Sequence, residues 1–127
     1  LELHGSVLRN YCVDCGKFYS AIEIFNSKDL VPKCSCGGVI KPDVVLYEES
    51  LKEDVLRKAI KEISTADLLI IGGTSLNVYP AAGLIQYFRG NKIVLINKDE
   101  TPYDSICNLI IHESIGKVMQ ELIEKVK

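Results

Sequence analysis

The chain has 127 residues, 47% of them hydrophobic and 25% charged, with a formal net charge of −2. That length suits one domain, or one domain carrying a small module, and the apolar share supports a buried core. The acidic balance speaks against gripping nucleic acid through charge alone, and no apolar run is long enough to cross a bilayer.

Residues 1–50 are rich in cysteine, glycine and short β-like runs. Cys12-Val13-Asp14-Cys15 and Cys34-Ser35-Cys36 form two tight pairs separated by eighteen residues. Each pair places two thiolates on one turn, and two such turns can enclose a Zn2+ ion. The spacing is that of a zinc ribbon with the second turn one residue short. Gly37-Gly38 supplies the backbone freedom such a turn needs. Four sulfur ligands would close the tetrahedron, so the site is structural and not catalytic. Two disulfides are the alternative pairing; the zinc reading implies a reducing, cytoplasmic compartment. A four-thiolate zinc site would take the net charge to about −4. The fifth cysteine, Cys107, lies in an apolar stretch and reads as a small buried residue. Tyr11, Phe18 and Tyr19 flank the first pair and read as its cover, residues 19–33 as a polar insert. Residues 39–40 and 44–47 read as extended pieces broken by Pro42.

From Lys52 the pattern changes. Val55, Leu56, Ala59, Ile60 and Ile63 predict an amphipathic helix over 51–65. The apolar run 68–71 predicts a buried parallel strand leading into the turn Gly72-Gly73-Thr74-Ser75. Residues 80–89 read as a helix with Pro80 in its first turn and Gly90 as its stop. Residues 93–96 and 109–111 read as two further strands, and Ile115, Val118, Met119, Leu122 and Ile123 as the apolar stripe of a closing helix. The alternation predicts an α/β fold with a parallel sheet, whose ligands bind beyond the carboxyl ends of the strands. Two such ends carry polar groups. The Gly72–Ser75 turn suits a phosphate or ribose, although a plain turn explains it as well, and Asn97 suits a ribose hydroxyl or a simple cap. An isolated histidine such as His4 or His112 is by itself an ordinary surface or core residue.

Together these segments resemble one family. Leu3-His4-Gly5, the two cysteine pairs followed by Gly37-Gly38, and Ile40-Lys41-Pro42-Asp43-Val44-Val45 come in the order found in the sirtuins, the NAD-dependent protein lysine deacylases. Residues 73–82 (Gly-Thr-Ser-Leu-Asn-Val-Tyr-Pro-Ala-Ala) and Ile96-Asn97 with Thr101-Pro102 continue it. The resemblance implies that His4 is the catalytic general base toward a nicotinamide-ribose hydroxyl. It implies that Gly73, Thr74 and Ser75 touch the ribose and phosphates of NAD, that Asn97, Lys98 and Asp99 meet the adenosine ribose, and that Ile115 lies by adenine. It also implies that Val45, Leu46 and Tyr47 on one side, and Leu76, Asn77 and Val78 on the other, clamp an acyl-lysine peptide as an added strand.

The resemblance covers essentially the whole chain and corresponds to the C-terminal half of the family's catalytic domain, beginning at the catalytic histidine. It implies a zinc module with flanking catalytic and substrate strands over 1–50, and the second half of a Rossmann-like parallel sheet over 51–127. Two expectations follow: little activity from these residues alone, and self-association through an open apolar edge at 68–71. The family's Phe-Gly-Glu is replaced by Tyr47-Glu48-Glu49, which puts a charged side chain beside the peptide. Two other functions compete with the deacylase: a zinc-ribbon interaction module, and a non-catalytic binder of ADP-ribose or NAD.

Overall fold

The structure, a computed structural model, describes residues 1–126. They fall into two compact units, Leu1–Leu56 and the residues from Arg57 onward.

The first unit is built on an antiparallel sheet in the order β2-β1-β3, where β1 is Gly5–Cys12, β2 is Phe18–Ser20 and β3 is Ile40–Val44. Tyr11 pairs with Phe18, and Cys12 with Ile40. The insert at 19–33 is more ordered than its polarity indicates: it carries the end of β2 and a short helix, α1 (Ala21–Phe25). A capping box starts that helix. Glu23 N–H donates to Ser20 Oγ at 3.3 Å, and Ser20 N–H donates to Glu23 Oε2 at 2.7 Å. Pro42 does not break the extended chain; β3 runs through it, with Pro42 opposite Asn10. The reason is position. β3 is an edge strand, and the register slips between Ser6 and Asn10, so the missing N–H costs the ladder little. Residues 45–47 lie outside the strand. The core is small: Cys12, Cys34 and Ile40, with Tyr19 and Ile24 packed against them.

Helix α2 (Glu53–Thr65) follows the predicted stripe, with Glu53 and Asp54 in its first turn, where acidic groups favour the helix dipole. The second unit has three parallel strands, β4 (Leu68–Gly72), β5 (Lys92–Ile96) and β6 (Leu109–Ile111), ordered β4-β5-β6. Ile71, Leu76, Ile85 and Leu95 form the buried core, with Cys107 half-buried beside it. Helix α3 (Ile115–Val126) closes the chain.

Two local expectations are corrected. Residues 80–89 do not form an α-helix; a shorter 3-10 helix spans Ala81–Tyr87. Ala82, Leu84 and Ile85 are its buried residues, and Gly83 among them adds no α-helical preference. Strand β4 is not buried on both faces. Ile71 is in the core, while Leu68 and Ile70 are 45% and 49% exposed. Among the described residues β4 pairs only with β5, so its other edge is open.

Candidate functional site

The sulfur cluster lies in the first unit. β1 delivers Cys12 to a tight turn in which Gly16 N–H donates to the Cys12 carbonyl at 3.0 Å and Gly16 takes φ +71°. The second turn repeats the device: Gly37 N–H donates to the Cys34 carbonyl at 2.8 Å, with Gly37 at φ +93°. Val13 N–H donates to the Val39 carbonyl at 2.9 Å and ties the two turns together. Gly38 is obligatory for a different reason, because a Cβ there would sit 2.7 Å from Cys12 Sγ and 2.5 Å from Asp14 Oδ2.

All four sulfurs lie within 4.8 Å of one another. Cys12 and Cys36 Sγ are 3.5 Å apart, and Cys15 and Cys34 Sγ 3.6 Å apart. A disulfide needs about 2.05 Å, whereas sulfurs bonded to a central Zn2+ at 2.3 Å stand about 3.8 Å apart. The cluster therefore fits a tetrahedral zinc ion and does not fit two disulfides. Its electrostatics agree. The N–H of Cys36, then the hydroxyl of Tyr19 at 3.1 Å, draw the Cys34 thiol down to about 5. Gly38 N–H pulls Cys36 the same way, but Cys12, Cys34 and Cys15 outweigh it and push that thiol up to about 12. Four thiols this close cannot all ionise unless a cation sits among them. Of the flanking aromatics, Tyr19 reaches the sulfurs. Tyr11 and Phe18 meet edge to face at 5.6 Å with both rings partly exposed.

His4 is exposed in the turn that enters β1. Its carbonyl accepts from Val45 N–H at 3.0 Å, so the backbone joins His4 to the first residue of the 45–47 segment. Gly5 makes that approach possible: it takes φ +78°, and a Cβ would lie 1.8 Å from the Asp43 carbonyl oxygen. Leu46 and Tyr47 are exposed, the latter completely. The turn after them is held by Glu49, whose carboxylate accepts from Leu46 N–H at 3.0 Å and from Lys41 at 3.1 Å. Glu48 sits in that turn at φ +68°, a left-handed conformation natural to glycine.

In the second unit, Gly73, Asn97, Lys98, Asp99 and Ile115 line one cleft of about 260 Å³ beyond the carboxyl ends of β4, β5 and β6. Ile96, Glu113 and Ser114 complete its wall. Gly72 lets the end of β4 meet α3, since a Cβ there would fall 2.1 Å from Ile115 Cδ1. Asn97 Nδ2 donates to the Asp99 carbonyl at 2.8 Å, which leaves Oδ1 as that side chain's acceptor. The first intrahelical bond of α3 is Val118 N–H to the Ser114 carbonyl, so the N–H groups of its first turn have no partner within the helix. Lys117, 2.6 Å away, and then Ser114 N–H hold the Glu113 carboxyl below its ordinary range. A cleft with backbone donors, a side-chain amide and a strand-end glycine suits a nucleoside with its phosphates. Thr74 and Ser75 are not among its lining residues; Thr74 Oγ1 instead accepts from Leu76 N–H at 3.2 Å. Leu76 turns its side chain into the core at φ +55°, which leaves only its backbone for a ligand, while Asn77 and Val78 are exposed. Glu113 and Ser114 were not singled out from the sequence. Their place between a short strand and the closing helix is the only cue it offers.

The model of the Sir2 family matches residues 1–80. An NAD-dependent protein deacetylase of Clostridium perfringens is 64% identical over 125 residues, covering 97% of this chain and 51% of its own length. That of Clostridium acetobutylicum is 57% identical over 123 residues, covering 96% and 50%. Among solved structures, Sir2Tm bound to a propionylated peptide superposes with a TM-score of 0.88 at 39% identity, covering 98% of this chain and 54% of that one. A Sir2 complex with a p53 peptide and NAD+ gives 0.84 at 41% identity, covering 98% and 54%. The chain thus spans about half the length of the curated relatives it matches.

Proposed function

The chain belongs to the Sir2 family, and from that premise we propose that it forms the zinc-bearing, acyl-transfer part of an NAD-dependent protein lysine deacylase. The observation that carries this reading is the cleft, in which Gly73, Asn97, Lys98, Asp99 and Ile115 converge at the ends of three parallel strands. NAD, when bound, supplies an ADP-ribosyl group that accepts the acyl group as nicotinamide leaves. Asn97 Oδ1 then accepts a ribose hydroxyl of the adenosine, and Gly73, Thr74 and Ser75 offer backbone and hydroxyl groups to the rest of the nucleotide. His4, exposed, takes the proton of a ribose hydroxyl. Residues 45–47 offer their backbone to an acyl-lysine peptide, residues 76–78 offer theirs likewise, and backbone pairing makes recognition tolerant of sequence. The four cysteines hold zinc for structure, because no coordination position stays open for chemistry.

Residues 1–50 and 51–127 divide this work between zinc module and nucleotide sheet. The open β4 edge, with Leu68 and Ile70 exposed, is where copies of the chain associate, and sedimentation as a strict monomer at high concentration would refute it. No described helix is long and apolar enough to cross a membrane, and reduced thiolates accord with a cytoplasmic setting.

The test of the main reading is deacylation of an acetyl-lysine peptide by a chain extended to the length of its relatives. His4→Ala should lower kcat by about 10²-fold or more, and Asn97→Ala should raise the KM for NAD. Unchanged rates in both variants would overturn the assignment. The 127 residues alone should turn over little, because catalysis requires both reactants to be held together.

A further inference from the structure

His112 has no role in the reading above, yet it holds the backbone of the residue on which the cleft depends. Asn97 N–H donates to the Ile111 carbonyl at 3.1 Å, which continues the β5–β6 ladder by one bond. In an evenly spaced parallel ladder the next donor, to the carbonyl of Asn97, would be Glu113 N–H. That group bonds instead to the Ile111 carbonyl at 3.0 Å, and the chain turns into α3. The His112 ring fills the gap: its Nδ1 lies 3.1 Å from the Asn97 carbonyl oxygen. A carbonyl can only accept, so Nδ1 carries the hydrogen. The other ring nitrogen, Nε2, faces Asp104 Oδ2 at 3.7 Å. Asp104 is itself fixed, since its Oδ1 accepts from Thr101 N–H at 2.8 Å and from Thr101 Oγ1 at 2.6 Å.

We propose that His112 is a positioning residue for the adenosine end of the cleft: by donating from Nδ1 to the Asn97 carbonyl it sets the direction in which the Asn97 side chain meets a ribose hydroxyl. The ligand half of this proposal rests on the nucleotide reading of the cleft; the backbone half does not. With N–H and carbonyl both anchored, and Nδ2 tied to Asp99, Asn97 keeps one side-chain acceptor in one orientation. Losing the ring bond leaves a turn that can rotate, and a rotating acceptor binds a hydroxyl less well.

Three variants of the chain extended to the length of its relatives separate the possibilities. Asn at 112 can place an N–H donor where Nδ1 stands, Gln can place one where Nε2 stands, and Ala places none. Two quantities are read: the exchange rate of the Asn97 amide hydrogen, and the affinity for ADP-ribose by calorimetry. His112→Ala and His112→Gln should each speed the exchange and weaken ADP-ribose by about fivefold. His112→Asn should stay within about twofold of the parent in both. Unchanged exchange in His112→Ala overturns the proposal, and so does rescue by Gln as good as by Asn, which would shift the role to Asp104. If exchange follows the expected order but the parent takes up no ADP-ribose, the nucleotide reading falls with the ligand half of the proposal, and the backbone anchor stands.

Discussion

The first unit encloses Cys12, Cys34 and Ile40, two of which also belong to the sulfur cluster, whereas the second packs Ile71, Leu76, Ile85 and Leu95 with no cysteine among them. The first has only a five-residue and part of a longer helix to cover its sheet, and Ile22, Phe25 and Leu30 stand in solvent. A unit of that size buries too little apolar surface to offset the entropy of ordering its loops, and a metal held by the four cysteines would supply the difference. The second gains its stability from sheet and side-chain packing. The candidate sites follow the same division: backbone bonds around Gly5 and Val45 hold the turn of His4 and the start of the 45–47 segment, while strand ends order the cleft around Asn97.

Chelation should break the comparison open. Structural zinc is worth about 10 kcal/mol or more to small modules. Removing it should abolish amide protection over residues 5–44 and leave that of β4–β6 in place, as read by hydrogen exchange. Persisting protection in β1–β3 without metal would show that the first unit has a sufficient core after all. The converse change is Leu95→Ala at a fully buried position of the second unit. It should cost about 3 kcal/mol in denaturant unfolding while elemental analysis still finds one zinc per chain. Loss of zinc in that variant would mean that the two units do not fail separately.

Tyr19→Phe removes the hydroxyl that donates to Cys34 Sγ at 3.1 Å. Partners behind metal ligands typically govern about tenfold in affinity, so competition with a chromophoric chelator should show zinc held about tenfold more weakly, with the second unit unaffected. Acid should act on the units in different ways. Zinc thiolates must be protonated to release the ion, so the first unit should fail steeply and at the higher pH. In the second, the Asp104 carboxyl is held below its ordinary value of 3.8 by the Thr101 hydroxyl, the Thr101 N–H and His112, against the opposing effect of burial. Its folded value is depressed, so its contribution is complete above the ordinary value and is lost as pH falls through the lower one. Asp104→Asn should therefore flatten the acid limb of β4–β6 exchange below about pH 4, and an unchanged limb would remove Asp104 from the account.

The smallest expected effect is a gain. Glu48 holds φ +68°, where a side chain costs about 1 kcal/mol or more, partly repaid because glycine is freer when unfolded. Glu48→Gly should stabilise the first unit by about 0.5 kcal/mol. In the extended chain it should also change the preference among peptides differing in charge next to the acyl-lysine. No change with charge would show that Glu48 does not face the substrate.

Much of this was legible from residue order because it is local. Cys12 and Cys15, and Cys34 and Cys36, share turns, so their spacing alone implied a metal, and the runs at 68–71, 93–96 and 109–111 implied the parallel strands β4, β5 and β6. Motif order implied the family without any coordinates. Other features escaped for physical reasons. Pro42 reads as a breaker until its strand is seen to be an edge, and residues 80–89 read as α-helical where the chain instead winds a 3-10 helix over Ala81–Tyr87 with Gly83 inside it. The capping box of Ser20 and Glu23 is a local signal that the polarity of its insert masks.

By itself the sequence determined the clustering of the four cysteines, the strands and the family, since each depends on residues close together or on a pattern carried along the chain. Only tertiary structure decided that Glu113 and Ser114 join Asn97 in one cleft, that Thr74 and Ser75 stand outside its wall, and that the ring of His112 holds the Asn97 carbonyl. These are meetings across a sheet between residues fifteen or more positions apart. Strand register brings them together, and register is set by packing of the whole core rather than by the identity of any one residue.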